Sequence, residues 1–130
     1  MRQLTGPSST AVGQLDAVRA VGLTLPEVES DTKYDGTPVL KLRGCFLAGL
    51  ATHASAEPGT LVLRMDEDER ALLLEDAPDV YYVTEYYAKY PLVLVRLAHV
   101  SDDALRDLLS TSWRLTREKT TRRRTPGRPR

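Results

Sequence analysis

The sequence predicts an α+β domain in which helices pack on one mainly antiparallel sheet. Three observations carry the prediction. Short runs such as VLKLRG (39–44), TLVLRM (60–65) and LVLVRL (92–97) alternate apolar and outward-facing residues at the period of a strand. Stretches near both ends repeat their apolar residues every three or four positions, the period of a helix. The resulting order of helix, strands, helix, strands, helix lacks the regular strand–helix alternation of a parallel sheet. With 130 residues, 42% hydrophobic and 28% charged, the chain can bury one core without metals or disulfides. The expected organisation is a flexible lead-in over 1–9, one compact domain over 10–116, and a disordered basic tail over 117–130.

Taken in order, Ser9 or Thr10 supplies a helix cap. Val12, Leu15, Val18, Val21 and Leu25 then form one apolar stripe that covers a sheet face and stops before Pro26. The segment PEVESDTKYDGTP (26–38) is polar and rich in turn formers, so a chain reversal is expected there. In VLKLRG, Leu40 and Leu42 point one way while Val39, Lys41 and Arg43 point the other. Gly44 allows a tight turn into CFLAGLA (45–51), a largely buried strand, and THASAEPG (52–59) reads as a hairpin loop. After TLVLRM, Asp66 caps a helix whose first turn is acidic, Leu72 to Leu74 supply its buried surface, and Pro78 stops it. VYYVT (80–84) and LVLVRL form a second hairpin around the 85–91 connection. Ser101 caps the last helix, in which Leu105, Leu108, Leu109 and Trp113 share a stripe and Trp113 closes the core. Beyond Thr116 the apolar periodicity ends.

The formal net charge of zero hides a segregation. Residues 117–130 hold seven basic residues and one acid, a net of +6, which leaves −6 on residues 1–116. The single cysteine, Cys45, forms no internal disulfide and removes any cysteine-based zinc site, so a reducing, cytoplasmic location is expected. No export signal or membrane-spanning run is legible.

No catalytic constellation is legible either. Cys45 reads as a buried structural thiol, and His53 and His99 as isolated surface residues without the pattern of a metal site. The acidic runs open helices, which the helix dipole explains. A non-enzymatic protein without cofactor or metal is therefore expected. Lys41, Arg43, Arg64 and Arg96 all face outward if the leucines and valines face inward. They either form a phosphate-binding face or are solvated charges paired with the surplus acids of the body. In the tail, Arg122, Arg123, Arg124, Arg128 and Arg130 include Gly127-Arg128-Pro129, the order of minor-groove arms that resemble AT-hooks. Five of the six tyrosines lie between residues 81 and 90. They either cap the sheet end or line a ligand site formed by Tyr82, Tyr87 and Tyr90.

The chain resembles the MmcQ/YjbR family of small bacterial proteins over nearly all of residues 12–116. The resemblance is carried by Tyr34-Asp-Gly-Thr-Pro38 with Lys41, Arg43, Gly44, Phe46 and Ala48. Tyr82-Val-Thr84 with Tyr87, Tyr90-Pro91 and Val93 to Leu97 follows, and then the closing helix ending at Trp113-Arg114. Cys45, Tyr86, Lys89 and Leu92 stand where the family commonly has Lys, His, Gly and Trp. The resemblance implies a double-wing or CyaY-like fold and a DNA-binding role. The function expected is weak electrostatic contact with DNA through the tail and the basic sheet face. The alternative is a small-molecule or protein-interaction module with a tyrosine-lined site; neither a protein partner nor an oligomeric state is indicated.

Overall fold

The structure is a computed structural model that describes residues 16–33 and 36–124, with side chains as far as residue 120. The helical cap at Ser9 or Thr10, Val12, Leu15, Tyr34, Arg128 and Arg130 lie outside the described residues. A first helix, α1, covers residues 16–22. There follow β1 (Val28–Thr32), β2 (Pro38–Leu42), β3 (Cys45–Leu50), β4 (Thr60–Arg64), α2 (Glu67–Asp76), β5 (Tyr81–Tyr82), α3 (Glu85–Ala88), β6 (Leu92–Arg96) and α4 (Asp102–Arg124). The six strands form one antiparallel sheet in the order β1-β2-β3-β4-β6-β5, the α+β architecture expected.

Strand alternation builds two different faces. Leu40, Leu61, Leu63, Val93, Val95 and Tyr81 turn toward Leu105, Leu108 and Leu109 of α4 and Val18 of α1, and all are buried. Each fully buried leucine or valine contributes about 1.5–3 kcal/mol relative to exposure, so this face supplies most of the stability. Gly22 brings α1 close to β2: a Cβ there would lie 2.5 Å from Leu40 Cδ1. On the other face a smaller cluster joins Val62, Tyr87 and Leu94 with Phe46, Tyr82, Val83 and Leu92.

The caps expected at Asp66 and Ser101 are present. Asp66 accepts the N–H of Glu69 at 2.8 Å, and Ser101 Oγ accepts the N–H of Ala104 at 3.1 Å. Trp113 packs half-buried against the core and donates its indole N–H to Pro26 O at 2.9 Å.

Four expectations are corrected. The polar stretch after Pro26 is not only a reversal, because Val28–Thr32 pairs with β2 as an edge strand. Its residues are mostly exposed, so the apolar alternation that marks a half-buried strand is missing. The first helix ends at residue 22, short of Leu25, which follows in a turn closed by Leu25 N–H on Gly22 O. Leu72 is 60% exposed, since three consecutive leucines spaced 100° apart on a helix cannot all face one sheet.

The fourth correction concerns the tail. Residues 117–124 are not outside the fold but form the last two turns of α4. The apolar stripe does stop near Trp113, yet the buried stripe continues as Ser112, Thr116 and Thr120. These hydroxyls bury without penalty because each donates to a carbonyl: Ser112 to Arg64 O, Thr116 to Ser112 O at 2.7 Å, and Thr120 to Arg117 O at 2.9 Å.

Candidate ligand-contact surfaces

Register places Lys41, Arg64 and Arg96 on the sheet face away from α4, because their cross-strand neighbours are Phe46, Leu92 and Thr60. Arg43 does not join them. It sits with Gly44 in a two-residue hairpin turn in which both have positive φ, 53° and 82°, as a tight I′ turn requires. The turn sends its guanidinium toward α4, where Nη1 lies 3.4 Å from Thr120 Oγ1.

Three of these four cations are matched by carboxylates. Lys41 pairs with Asp31 at 3.3 Å. Arg43 donates twice to Glu27, at 2.9 and 2.8 Å, a charge-assisted fork that raises its already high pKa. Glu27 also has positive φ, 64°, so the two non-glycine residues held in left-handed backbone, among the described residues, hold each other. Arg96 makes the same fork to Glu57 at 2.9 Å and donates Nη1 to Pro78 O and Asp79 O. Its guanidinium lies 4.3 Å over the Tyr82 ring. The fork holds the Glu57 carboxyl below its ordinary range, with proximity of charge adding to the hydrogen bond. Arg64 differs: it donates Nε to Phe46 O at 3.0 Å, and burial pulls its guanidinium below its usual pKa. It borders a concavity of about 340 Å³ shared with Lys119 and Glu118 of α4.

The C-terminal half of α4 carries cations of another kind. Arg114 and Arg117 are exposed and Lys119 is half-buried, and no carboxylate pairs with any of them among the described residues. Arg117 lies 5.4 Å over the Trp113 ring. The backbone of Arg122, Arg123 and Arg124 continues this helix; their side chains are outside the described residues.

The tyrosine connection is built from caps and clamps. Thr84 Oγ1 caps α3 by accepting Tyr87 N–H at 3.4 Å, and is 2.9 Å from Ser55 Oγ in the 51–59 loop. Arg70 of α2, a residue that carries no sequence signal, donates to the carbonyls of Tyr90, Leu92 and Ala88 at 3.0, 3.1 and 3.3 Å. Tyr87 is buried, and its hydroxyl accepts His53 N–H at 3.2 Å. Tyr86 stacks on the His53 ring at 3.6 Å and 7°. A concavity of about 220 Å³ opens here, floored by Phe46, Val62 and Leu92 and walled by Tyr86, Tyr87 and Tyr90, with Lys33 at its border. Of the three tyrosines expected to line a site, Tyr87 and Tyr90 do so. Tyr82 does not; its hydroxyl is 2.6 Å from Thr60 Oγ1 and accepts Glu57 N–H at 2.8 Å, so it fastens the loop. Tyr86 takes its place on the wall.

His53 and Ser55 are also in contact, with Nδ1 2.9 Å from Oγ. The pair has the composition of a base and nucleophile but not the arrangement. Nδ1 already accepts the Ser55 backbone N–H at 3.1 Å, and the hydroxyl is shared with Thr84. It is a loop tether. Among the described residues no group of three His, Cys, Asp or Glu side chains is placed to hold a metal ion. No described helix is long and apolar enough to cross a membrane.

The YjbR family model matches residues 23–115, from the turn before β1 to the middle of α4. The chain belongs to the YjbR family. The match contains the whole sheet, the tyrosine connection and the Arg43, Arg64 and Arg96 positions. Uncharacterized proteins of Mycobacterium tuberculosis and Mycobacterium bovis are 39% identical to this YjbR chain over 66 residues, 48% of this chain and 51% of theirs. The chain thus spans about half the length of the curated relatives it matches. No solved structure matches it significantly.

Proposed function

We propose that this YjbR chain is a non-enzymatic, cytoplasmic DNA-binding domain whose contact with nucleic acid is weak and electrostatic. The contact is made by Arg114, Arg117 and Lys119 of α4, joined by Arg64 at the end of β4 through the concavity it shares with Lys119, and is continued by the basic residues from Arg122 onward. The observation that carries the reading is the division of the cations into two sets. Lys41, Arg43 and Arg96 already face carboxylates, and a phosphate would have to displace Asp31, Glu27 or Glu57 to reach them. The cations of the α4 end face none among the described residues, so they meet a phosphate without that cost. The acidic body repels a polyanion, which keeps affinity low and confines contact to the basic end.

The test is fluorescence anisotropy of a labelled duplex against the full chain across a salt series. Binding at low salt should fall steeply as salt rises. The triple substitution Arg114→Gln, Arg117→Gln, Lys119→Gln should flatten the log–log salt slope by about 2–3, close to one for each phosphate contact removed. Lys41→Gln should leave the slope unchanged. No binding by the full chain at low salt, or an unchanged slope in the triple variant, rejects the reading.

A further inference from the structure

We infer that the concavity between the tyrosine connection and the open sheet face is a binding site for one unpaired nucleotide. Its base lies against Tyr86 and Tyr90, and its phosphate lies between Lys33 and Lys89. This is a second site, on the face opposite α4, and it goes beyond the electrostatic contact proposed above.

Size comes first. At about 220 Å³ the concavity is smaller than the several hundred cubic ångströms typical of drug-sized ligands, and suits a single ring system. Wall chemistry comes second. Phe46, Tyr86, Tyr87 and Tyr90 present aromatic surface, and Tyr86 and Tyr90 remain 38% and 42% exposed on a face where Leu94 and Val62 are sealed. The exposed ring of Tyr90 beside an apolar floor offers stacking to a planar ring, while Tyr86, already stacked on His53, closes the wall against its edge.

Charge decides what the ring carries. Lys89 Nζ stands 5.3 Å from the Tyr86 ring centre and 5.9 Å from that of Tyr90, and Lys33 borders the same concavity. No carboxylate pairs with either lysine among the described residues, in contrast to Lys41 and Arg96 on the same face. Two such lysines repel a cationic ligand, although aromatic walls by themselves would suit one, and a bare anion would gain nothing from the apolar floor. A planar ring bearing an anionic group satisfies both features.

The site is also held ready. The His53 stack fixes one face of Tyr86, the Tyr87 hydroxyl is tied to His53 N–H, and Arg70 clamps the carbonyls on either side of Pro91. Little ordering remains to be done on binding. A base paired within a duplex cannot enter, so the nucleotide comes either free or from a single strand.

Tyrosine ring resonances of the full chain are followed by NMR during titration with adenosine monophosphate, adenosine, inorganic phosphate, a thymidine octanucleotide and a duplex. The monophosphate, the octanucleotide or both should shift the Tyr86 and Tyr90 rings. A response to the monophosphate alone identifies the free nucleotide as the source, and one to the octanucleotide alone identifies the single strand. Tyr90→Ala should weaken the responding ligand at least about fivefold, the low end of loss of one stacking partner. It should leave the thermal midpoint and duplex binding unchanged. The α4 triple variant should do the reverse, weakening duplex binding and flattening its salt slope while retaining the ring shifts, so the two sites stand or fall separately. Absence of ring shifts with both nucleotide probes overturns the inference whatever the duplex does. So does a response to inorganic phosphate as strong as that to adenosine monophosphate.

Discussion

The two faces of the sheet are made from the same strands and differ in how they are closed. Toward α4, the alternate residues of β4 and β6 meet a helix carrying Leu105, Leu108 and Leu109, and the interface is apolar and sealed. On the opposite face, alternate residues of the same strands meet a loop and a one-turn helix. That closure depends on tyrosine hydroxyls, a histidine stack and an arginine fork. A helix covers a sheet with side chains alone because its backbone is internally bonded. A loop exposes backbone N–H groups that need acceptors, and here the hydroxyls of Tyr82 and Tyr87 supply them. The second face therefore keeps polar groups, open rings and a concavity, while the first keeps only stability.

Substitutions on the two faces should separate these roles. Leu63→Ala on the sealed face removes a side chain with no solvent exposure and should cost about 2–5 kcal/mol in urea denaturation. Tyr82→Phe on the open face should cost less, about 1–2 kcal/mol, because it leaves the buried Thr60 hydroxyl and the Glu57 N–H without their shared partner. Its signature is faster amide exchange at residues 53–57 with the α4 amides unchanged. A loss for Tyr82→Phe as large as for Leu63→Ala would erase the distinction between the faces.

The smallest effect is expected at the arginine fork, and it depends on pH. The carboxyl of Glu57 sits below a glutamate's ordinary 4.5 when folded, so its contribution is fully present above that value. It is lost as pH falls through the lower folded value. The stability difference between the native chain and Glu57→Gln should accordingly be largest near pH 7 and shrink toward pH 3. Both partners are partly exposed, so the difference stays small. A difference that grows on acidification would contradict the role given to the fork.

What could be read from the sequence follows from where the periodic signal lies. The alternating strands β2, β4 and β6 and the caps Asp66 and Ser101 were legible because each announces itself within a few residues. The edge strand β1 was not, since an exposed edge needs no apolar alternation. The end of α4 was misjudged because its buried stripe passes from leucines to Ser112, Thr116 and Thr120, of which Thr116 and Thr120 donate to the helix backbone and Ser112 to the Arg64 carbonyl of β4.

The candidate sites divide along the same line. Pattern alone placed Lys41, Arg64 and Arg96 on one face and gathered the tyrosines into one connection. Which cations remain available was decided by residues distant in sequence: Glu27 lies 16 residues from Arg43, and Glu57 lies 39 from Arg96. The choice of Tyr86 over Tyr82 for the concavity wall was likewise made by the loop that folds across them, through His53 and Glu57. Local spacing determines the direction a side chain takes from its own backbone. Only the tertiary structure decides what it meets there, because hydrogen bonds and ion pairs form between groups that the fold, and not the order of residues, brings within 3 or 4 Å.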